Sequence, residues 1–150
     1  MPDPVKFEVS IPSDTTVAQD VQERIISELE RRSYTSRDVF GVRLALEEAI
    51  TNAIRHGNGN DKALKVEIVC EITDDLMHVE IQDQGPGFRP ESVPDPTTDD
   101  NLDQPGGRGV LLMNAYMSLV AYNDSGNRVI LEKSRTVESP ESQTTPRADT

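Results

Sequence analysis

Apolar and polar positions alternate at the start of the chain and then repeat with a helical period. Every second residue from 5 to 11 is apolar, which predicts a strand with one buried face. Pro12 ends this strand, and Ser13 or Asp14 can cap the helix that follows. Apolar residues then recur every four positions over residues 17–29, which predicts an amphipathic helix.

The middle of the chain predicts a second helix and two further strands. The helix begins near Ser36 and ends at Gly57, which supplies a C-cap. Residues 66–72 and 77–83 again alternate between apolar and polar side chains, and a turn at 73–75 separates them. Each of the two segments is therefore predicted to be a strand with one buried face.

The last part of the chain contains a long polar segment, a short helix, a hairpin and a tail. Residues 85–109 are rich in Pro, Asp and Gly, and a loop of this length in a small domain is usually functional or disordered. Residues 110–116 predict a short helix, and two apolar segments flank a turn at 124–127, which indicates a hairpin. Residues 134–150 are polar and predict a disordered tail after a domain formed by residues 1–133.

The order of these elements predicts the fold class. It reads β-α-α-β-β-loop-α-β-β, so helices do not alternate with strands as a doubly wound parallel sheet requires. The sequence therefore predicts the α+β class, with a two-layer sandwich in which helices cover one face of a mostly antiparallel sheet.

Composition and charge narrow the classes of function. The 150 residues are enough for one domain, and 27 acidic against 15 basic residues give a formal net charge of −12. Nucleic acids and anionic membranes need a basic surface, so we expect neither as a partner. No segment approaches the roughly 20 apolar residues of a membrane helix, and no secretory signal is expected. Cys70 is the single cysteine, so no intramolecular disulfide can form, and we expect a cytoplasmic protein.

The second predicted helix carries a stripe of polar residues that could form a site. Glu48, Asn52 and His56 are four residues apart, so they lie one helical turn apart on the same side. A solvated helix face is the ordinary explanation of such a stripe. Small alanines flank the stripe and it contains no Lys, which favours close approach by another group. Glu47 points about 100° away and is expected to pair with Arg43.

A second candidate is found at the end of the strand predicted for residues 77–83. Asp83 lies on the core side of that strand, where a carboxylate costs free energy unless it is hydrogen-bonded. Gly85 and Gly87 follow, and glycines allow close approach of a ligand to the backbone. A plain turn, in which Asp83 caps backbone N–H groups, explains the pattern about as well. Alternatively, Asp83 could accept a hydrogen bond from a buried exocyclic amine such as that of adenine.

Glycines also precede the short helix predicted near Val110. Gly106, Gly107 and Gly109 could bring backbone N–H groups and the positive end of the helix dipole to a phosphate. A flexible loop that merely ends in a helix is the alternative. Arg108 lies within this cluster and could contact a phosphate or pair with a nearby aspartate.

Together, the three motifs resemble those of a known superfamily. Three segments of this chain resemble the N, G1 and G2 boxes of the GHKL ATPases: E-A-I-T-N-A-I-R-H-G at 48–57, D-Q-G-P-G-F at 83–88 and G-G-R-G-V-L-L-M at 106–113. Within this superfamily, the chain looks most similar to the anti-sigma-factor serine/threonine kinases of bacterial partner-switching systems. The similarity to that branch rests on the form T-N-A-x-x-H-G and on the closing Y-N-D-S-G-N-R-V-I-L-E-K. The resemblance covers about residues 5–133.

The resemblance implies the Bergerat ATP-binding fold and a role for the residues of the first two motifs. Glu48 would be the general base of phosphoryl transfer, and Asn52 would coordinate Mg²⁺ beside the triphosphate of ATP. Asp83 would accept a hydrogen bond from the adenine amino group, while Gly85 and Gly87 shape the pocket for the base.

The glycine-rich third motif would bind the phosphates of ATP. Gly107 and Gly109 would bring backbone N–H groups to them, and residues 89–105 would form a lid over the nucleotide. Arg108 departs from the family pattern, in which this position is often apolar or glycine, and would contact a phosphate or a partner.

The resemblance also implies a function. The protein would be an ATP-dependent serine/threonine protein kinase that phosphorylates a small anti-anti-sigma protein of the STAS type and sequesters a sigma factor or another regulator. A homodimer is expected. A non-catalytic, nucleotide-gated module for partner binding and a stand-alone catalytic domain of the histidine-kinase type remain alternatives.

Overall fold

The described residues form a five-stranded sheet with two long helices packed against it. The computed structural model describes residues 3–85, 115–123 and 126–137. The elements are β1 (Val5–Pro12), α1 (Thr15–Arg31), α2 (Ser36–Asn52), a π-helical turn (Ala53–Gly57), β2 (Lys65–Ile72), β3 (Leu76–Gln82), β4 (Leu119–Tyr122) and β5 (Arg128–Ser134).

The sheet is antiparallel throughout its described strands. Their order is β1-β2-β3-β5-β4. β5 lies between β3 and β4, and Leu131 pairs with Val79 on one side and with Val120 on the other. This topology confirms the predicted α+β sandwich of helices on one face of an antiparallel sheet. The hairpin predicted around residues 124–127 is confirmed as well, because β4 and β5 pair directly.

The core lies between the helices and one face of the sheet. Alternate residues of each strand point to this face, in agreement with the period-two pattern of the sequence. The buried side chains on β2, β3 and β5 are Val66, Ile68, Cys70, Ile72, Met77, Val79, Ile81, Val129 and Leu131. The two helices add Val21, Ile25, Ile26, Leu29, Val42, Ala45, Leu46, Ala49 and Ile50. Each large aliphatic side chain buried in this way contributes about 1.5–3 kcal/mol.

Both helices begin where a side chain caps them. Asp14 accepts a hydrogen bond from Thr16 N at 2.9 Å, which confirms one of the two caps predicted for α1. Thr35 caps α2 by accepting a hydrogen bond from Asp38 N at 3.0 Å. Such a cap contributes about 1 kcal/mol because it satisfies an N–H group that has no partner within the helix.

The second helix does not continue as a regular α-helix to Gly57. After Asn52 it widens into the π-helical turn, which changes the side that each following residue faces. Asn52 is buried, whereas His56 is exposed. The straight polar stripe predicted by the sequence is therefore broken at this turn. Glu48 and Asn52 remain one turn apart on α2, and His56 faces solvent.

Hydrogen-bonded contacts extend beyond the predicted domain boundary at residue 133. β5 includes Ser134, and the chain then runs back to the start of α2. There Asp38 accepts hydrogen bonds from Thr136 N and Thr136 Oγ1, both at 2.7 Å. Residues 138–150 of the predicted tail lie outside the described residues, so the division into domain and tail stays a prediction.

Two other predicted segments fall largely outside the described residues. They are the loop at 85–109, of which only Gly85 is described, and the short helix at 110–116, of which Ala115 and Tyr116 are helical. Within the described ranges, no helix combines the length and the apolar character that a membrane span requires.

Candidate functional site

A cavity opens between the C-terminal half of α2 and the adjoining ends of β3, β4 and β5. It is lined by Ala49, Asn52, Ala53, Ile81, Asp83, Tyr122, Gly126, Asn127, Arg128 and Val129. Apolar walls with a few convergent polar groups are typical of sites that bind small molecules. The fold thereby brings Asn52 and Asp83, which belong to different sequence motifs, into one cavity.

Asp83 lies one residue beyond β3, and its side chain is buried. Its Oδ1 accepts a hydrogen bond from Gly85 N at 2.9 Å, and its own N–H donates to Asn127 O at 2.9 Å. Burial raises the pKa of this carboxyl above its usual value, and the hydrogen bond from Gly85 opposes that rise only in part. The hydrogen bond from Gly85 therefore does not fully compensate for burial of the ionised carboxylate, and a ligand with a hydrogen-bond donor would stabilise it further.

Two glycines allow Asp83 to pack against the end of the π-helical turn. A Cβ at Gly57 would lie 2.2 Å from Asp83 Cγ, and a Cβ at Gly85 would lie 1.6 Å from Gly57 O. Contacts this short cannot form, so any other residue would push the two segments apart. The sequence analysis assigned Gly57 to a helix cap, whereas the structure shows that the carboxylate requires a glycine there.

Asn58 ties together the segments around this carboxylate, and the sequence analysis did not select it. Its buried side chain donates through Nδ2 to Ser13 Oγ and to Lys65 O, each at 3.0 Å. Its Oδ1 accepts a hydrogen bond from Gln84 N, the residue after Asp83, at 2.8 Å. No local pattern marks Asn58, because its function depends on partners that come from distant parts of the chain.

Glu48 and Asn52 meet a third polar residue that the sequence analysis placed only in a strand. The Asn52 side chain hydrogen-bonds the hydroxyl of Tyr122, and the charge of the half-buried Glu48 acts on the same phenol. Burial, reinforced by the Glu48 charge and opposed by the Asn52 hydrogen bond, raises the pKa of Tyr122 to about 12. The phenol therefore stays neutral at physiological pH.

The two candidate carboxylates have no cationic partner in the part of the chain that the structure describes. No ion pair with another described residue involves Glu48 or Asp83. Arg43, which was expected to pair with Glu47, instead forms an ion pair with Glu23 of α1. Of the two carboxylates, only Asp83 lines the cavity, together with the Asn52 amide and with Arg128, which pairs with Glu80 at 2.8 Å. The carboxylate and amide oxygens can accept hydrogen bonds from a ligand and can bind a hard cation.

The rest of the predicted site lies outside the described residues. It consists of Gly87, Gly107, Arg108 and Gly109, together with the predicted lid at 89–105. Their assigned roles stay predictions, as do the chemical roles assigned to the residues inside the cavity.

Known proteins are similar to this chain in sequence. Residues 11–133 match the family described as the histidine kinase-like ATPase domain. The chain is 26% identical over 135 residues to the serine-protein kinase RsbW of Staphylococcus aureus, and the alignment covers 85% of each protein. It is 27% identical over 134 residues to the serine-protein kinase RsbW of Bacillus velezensis, with 85% of this chain and 84% of that protein covered.

A solved structure shares the fold as well. It contains the RsbU and RsbW domains of a Mycobacterium tuberculosis protein and superposes with a TM-score of 0.60 at 13% identity. The superposition covers 91% of this chain and 33% of that chain, so this chain spans about a third of its length. The family match includes α2, the residues after β3 and the β4–β5 hairpin, which together line the cavity. The chain belongs to the histidine kinase-like ATPase domain family, which confirms the resemblance seen in its three motifs.

Proposed function

We propose that this protein is an ATP-dependent serine/threonine protein kinase that acts as a regulatory anti-sigma factor. The observation that carries the proposal is the buried Asp83 carboxylate, which shares one largely apolar cavity with the Asn52 amide and has no cationic partner among the described residues. The family match and the kinase names of the relatives support the same activity.

The chemistry of the residues that line the cavity would suit a flat heteroaromatic base that carries an amino group. Apolar walls from Ala49, Ala53 and Val129 would contact the faces of the base. Asp83 would accept a hydrogen bond from the adenine amino group through the oxygen that does not bind Gly85 N. A hydrogen bond to a charged acceptor contributes about 1.5–3 kcal/mol, and it would offset the desolvation that raises the pKa of this carboxyl.

Asn52 fits the role of a ligand for the Mg²⁺ that accompanies ATP. An amide oxygen is a hard ligand, and Mg²⁺ in nucleotide sites is usually held by few protein groups together with phosphate oxygens and water. When bound, the metal ion would neutralise charge on the phosphates. Gly107, Gly109 and Arg108 would supply further donors to the phosphates in this acidic chain.

Glu48 would act as the general base. It lies one helical turn from Asn52, where a substrate hydroxyl could approach the terminal phosphoryl group. The serine oxygen would form a bond to phosphorus while the bond from phosphorus to the ADP oxygen breaks, and Glu48 would accept the serine proton. General base catalysis of this kind contributes about 10²–10⁴ in rate.

The regulatory setting is part of the same proposal. The substrate would be a small anti-anti-sigma protein of the STAS type, and the kinase would sequester a sigma factor or another regulator. The protein would be cytoplasmic and would form a homodimer. The form T-N-A-x-x-H-G and the relatives named as serine-protein kinases support a protein substrate of this kind. A monomeric mass by light scattering at high protein concentration would contradict the dimer.

Labelled ATP provides the test of the activity. The chain is incubated with ATP carrying a γ-phosphate label and with candidate STAS proteins, and the labelled product is then treated with acid. Label that survives acid on a STAS protein is expected, because phosphoserine is stable in acid. Label that acid removes would indicate a histidine-directed kinase, and nucleotide binding without any label would indicate a non-catalytic module.

A further inference from the structure

The Asn58 amide joins the end of the π-helical turn to the residues that follow β3. Its Nδ2 group donates to Lys65 O at 3.0 Å, and its Oδ1 accepts a hydrogen bond from Gln84 N at 2.8 Å. A backbone carbonyl can only accept and a backbone N–H can only donate, so the amide has one possible orientation. Gln84 Oε1 in turn accepts a hydrogen bond from Lys65 N at 2.6 Å, which closes a ring of hydrogen bonds through the three residues.

Two further contacts hold Asn58 itself in place. Its backbone N–H donates to Ala53 O at 2.8 Å in the π-helical turn, and its Nδ2 group also donates to Ser13 Oγ at 3.0 Å. Asn58 is only 4% exposed. Because a buried amide that loses a hydrogen bond costs free energy, Asn58 gives the Gln84 backbone a rigid partner.

The Gln84 N–H group belongs to the peptide unit that follows the Cα atom of Asp83. The peptide unit before this Cα is held as well, because Asp83 N donates to Asn127 O at 2.9 Å. The Asp83 carboxylate is held by the hydrogen bond that its Oδ1 accepts from Gly85 N. Both peptide units around Asp83 and one of its carboxylate oxygens are therefore fixed, which gives the second oxygen a defined direction.

We infer that Asn58 is a positioning residue that fixes the backbone beside Asp83 and thereby strengthens selection of a base with an amino group. The inference rests on the proposed function, in which Asp83 accepts a hydrogen bond from that amino group. A hydrogen bond weakens steeply when its angle departs from the preferred range. A carboxylate that is held in place before the ligand arrives therefore distinguishes more strongly between a base with an amino group and a base without one.

Truncation of Asn58 tests the inference through base selectivity. Calorimetry measures the affinities of wild type and Asn58→Ala for ATP and for purine riboside triphosphate, which lacks the amino group, both with Mg²⁺. Wild type should bind ATP about ten- to a hundredfold more tightly, as expected for one hydrogen bond to a charged acceptor. Asn58→Ala should reduce this preference about three- to tenfold by weakening ATP binding. Its affinity for the analogue should stay within about twofold of wild type.

Ser13→Ala is the matched control, because it removes one hydrogen bond of Asn58 and leaves the bond to Gln84 in place. It should lower the free energy of unfolding, measured in urea, and keep the wild-type preference for ATP. A preference that falls as much in Ser13→Ala as in Asn58→Ala would show that general loosening of this region is responsible. That result would overturn the positioning role.

Hydrogen exchange of the wild type tests the same coupling without a substitution. If the Gln84 backbone positions Asp83, binding of the amino group must in return stabilise the hydrogen bond of Gln84 N, because coupling between two interactions is reciprocal. Saturating ATP should slow exchange of the Gln84 amide at least about threefold more than saturating purine riboside triphosphate. Equal protection by the two nucleotides would overturn the inference, and this holds even where Asn58→Ala does not fold.

The outcomes separate this inference from the proposed function. A wild type that binds the two nucleotides equally well would overturn the adenine assignment of the proposed function, and the role of Asn58 would be lost with it. A wild type that prefers ATP, together with an unchanged preference in Asn58→Ala, would overturn the positioning role alone. An equal loss of affinity for both nucleotides in Asn58→Ala would also overturn it, because that result indicates a purely structural role.

Discussion

Buried carboxylates have ionic and hydrogen-bonding partners at one end of α2 and β3 and lack a cationic partner among the described residues at the other end. We call the end at which both elements begin, near Asp38, the paired end. We call the end at which both elements finish, around the cavity, the open end. At the paired end, Asp38 is buried, accepts two hydrogen bonds from Thr136 and lies 3.8 Å from Lys133 Nζ. These hydrogen bonds and Lys133 outweigh desolvation and lower the pKa of Asp38.

A buried arginine next to the paired end also has charged partners. The side chain of Arg32 is only 2% exposed, and it bonds Glu28 at 2.6 Å and Asp74 at 2.9 Å. Arg135 adds a hydrogen bond from its Nε to Asp74 O. Because breaking a buried pair leaves an uncompensated charge, these contacts hold the turn between β2 and β3 against the end of α1.

The open end has the opposite property. Asp83 is buried and Glu48 is half-buried, and neither has a cationic partner among the described residues. Burial raises the pKa of Asp83. Burial also acts on Asp38, but the hydrogen bonds from Thr136 and the charge of Lys133 outweigh it and lower the pKa of Asp38. The difference indicates that the paired end stabilises the fold, while the open end keeps acceptors that a ligand can satisfy.

The largest expected effect concerns catalysis at the open end. Glu48→Gln should slow phosphorylation of the protein substrate by about 10²–10⁴, because the amide cannot accept the proton of the serine hydroxyl. Binding of Mg-ATP should persist, since a carboxylate repels phosphate rather than attracting it. Transfer of labelled phosphate and equilibrium binding measure the two properties separately.

Glu47→Gln is the control for this prediction, because Glu47 is exposed and points to another side of α2. It should leave transfer and binding nearly intact. A normal rate for Glu48→Gln together with a slow Glu47→Gln variant would show that the base is the neighbouring carboxylate. Normal rates for both variants would favour the non-catalytic alternative.

The next largest effect concerns stability at the paired end. Asp38→Asn should lower the free energy of unfolding by about 2–3 kcal/mol, because the amide presents donors to Lys133 and to one donor of Thr136. Urea titration measures the loss, and Asp20→Asn on the exposed side of α1 is the control. ATP affinity should be unchanged wherever the variant is folded. Ordinary surface substitutions change the free energy of unfolding by at most about 0.5 kcal/mol. A change no larger than that in Asp38→Asn would contradict a stabilising role for the paired end.

The same change from aspartate to asparagine at the open end should weaken ATP binding without lowering the stability of the fold. Asp83→Asn should weaken ATP binding by about 1.5–3 kcal/mol, because an amide nitrogen can replace the oxygen that faces the adenine amino group. The free energy of unfolding should stay equal or rise, since burial disfavours the charge that is removed. Calorimetric titration and urea unfolding measure the two effects. Wild-type ATP affinity in a folded Asp83→Asn variant would remove the adenine assignment.

The pH dependence of binding sharpens that prediction. Only the ionised carboxylate is the strong acceptor, so ATP affinity should fall as the pH drops through the raised pKa of Asp83. The fall should begin above the ordinary value of 3.8, and it should be absent in Asp83→Asn. A fall of equal size in the variant would assign the pH dependence to another group.

The smallest effect lies on the outer face of the sheet, away from both ends. His78 bonds Glu132 at 2.6 Å and Glu80 at 2.9 Å. Desolvation lowers the pKa of His78, but the two carboxylates outweigh it and the net pKa is raised. The imidazolium therefore contributes stability that is complete below the unfolded value of 6.5 and is lost as the pH rises through the raised pKa.

The expected size is at most about 1 kcal/mol, because the three side chains are between a quarter and a third exposed. Urea unfolding of wild type and of His78→Gln from pH 5.5 to 9 measures it. The wild-type stability should fall over this range by more than that of the variant. Parallel profiles would show that the His78 pairs contribute nothing.

Much of the fold and part of the site are determined by local sequence. The period-two apolar residues define each strand and its buried face, because successive side chains of a strand point to opposite sides. Asp14 caps α1 because its oxygen reaches an N–H group two residues away. Glu48 and Asn52 share one side of α2 because four residues make about one helical turn. Contacts over such short distances along the chain can be predicted from spacing alone.

Other features were decided by contacts between distant residues. The π-helical turn after Asn52 places Gly57 against the Asp83 carboxylate, and helical periodicity does not predict it. Thr136 lies 98 positions from Asp38, so the predicted domain boundary could not include the hydrogen bonds that join them. Asn58 and Tyr122 are unremarkable in their own segments. Each belongs to the site only because the folded chain places residues from other elements next to it. The free energy of such a contact depends on the distance between two side chains, and that distance is set by the tertiary structure.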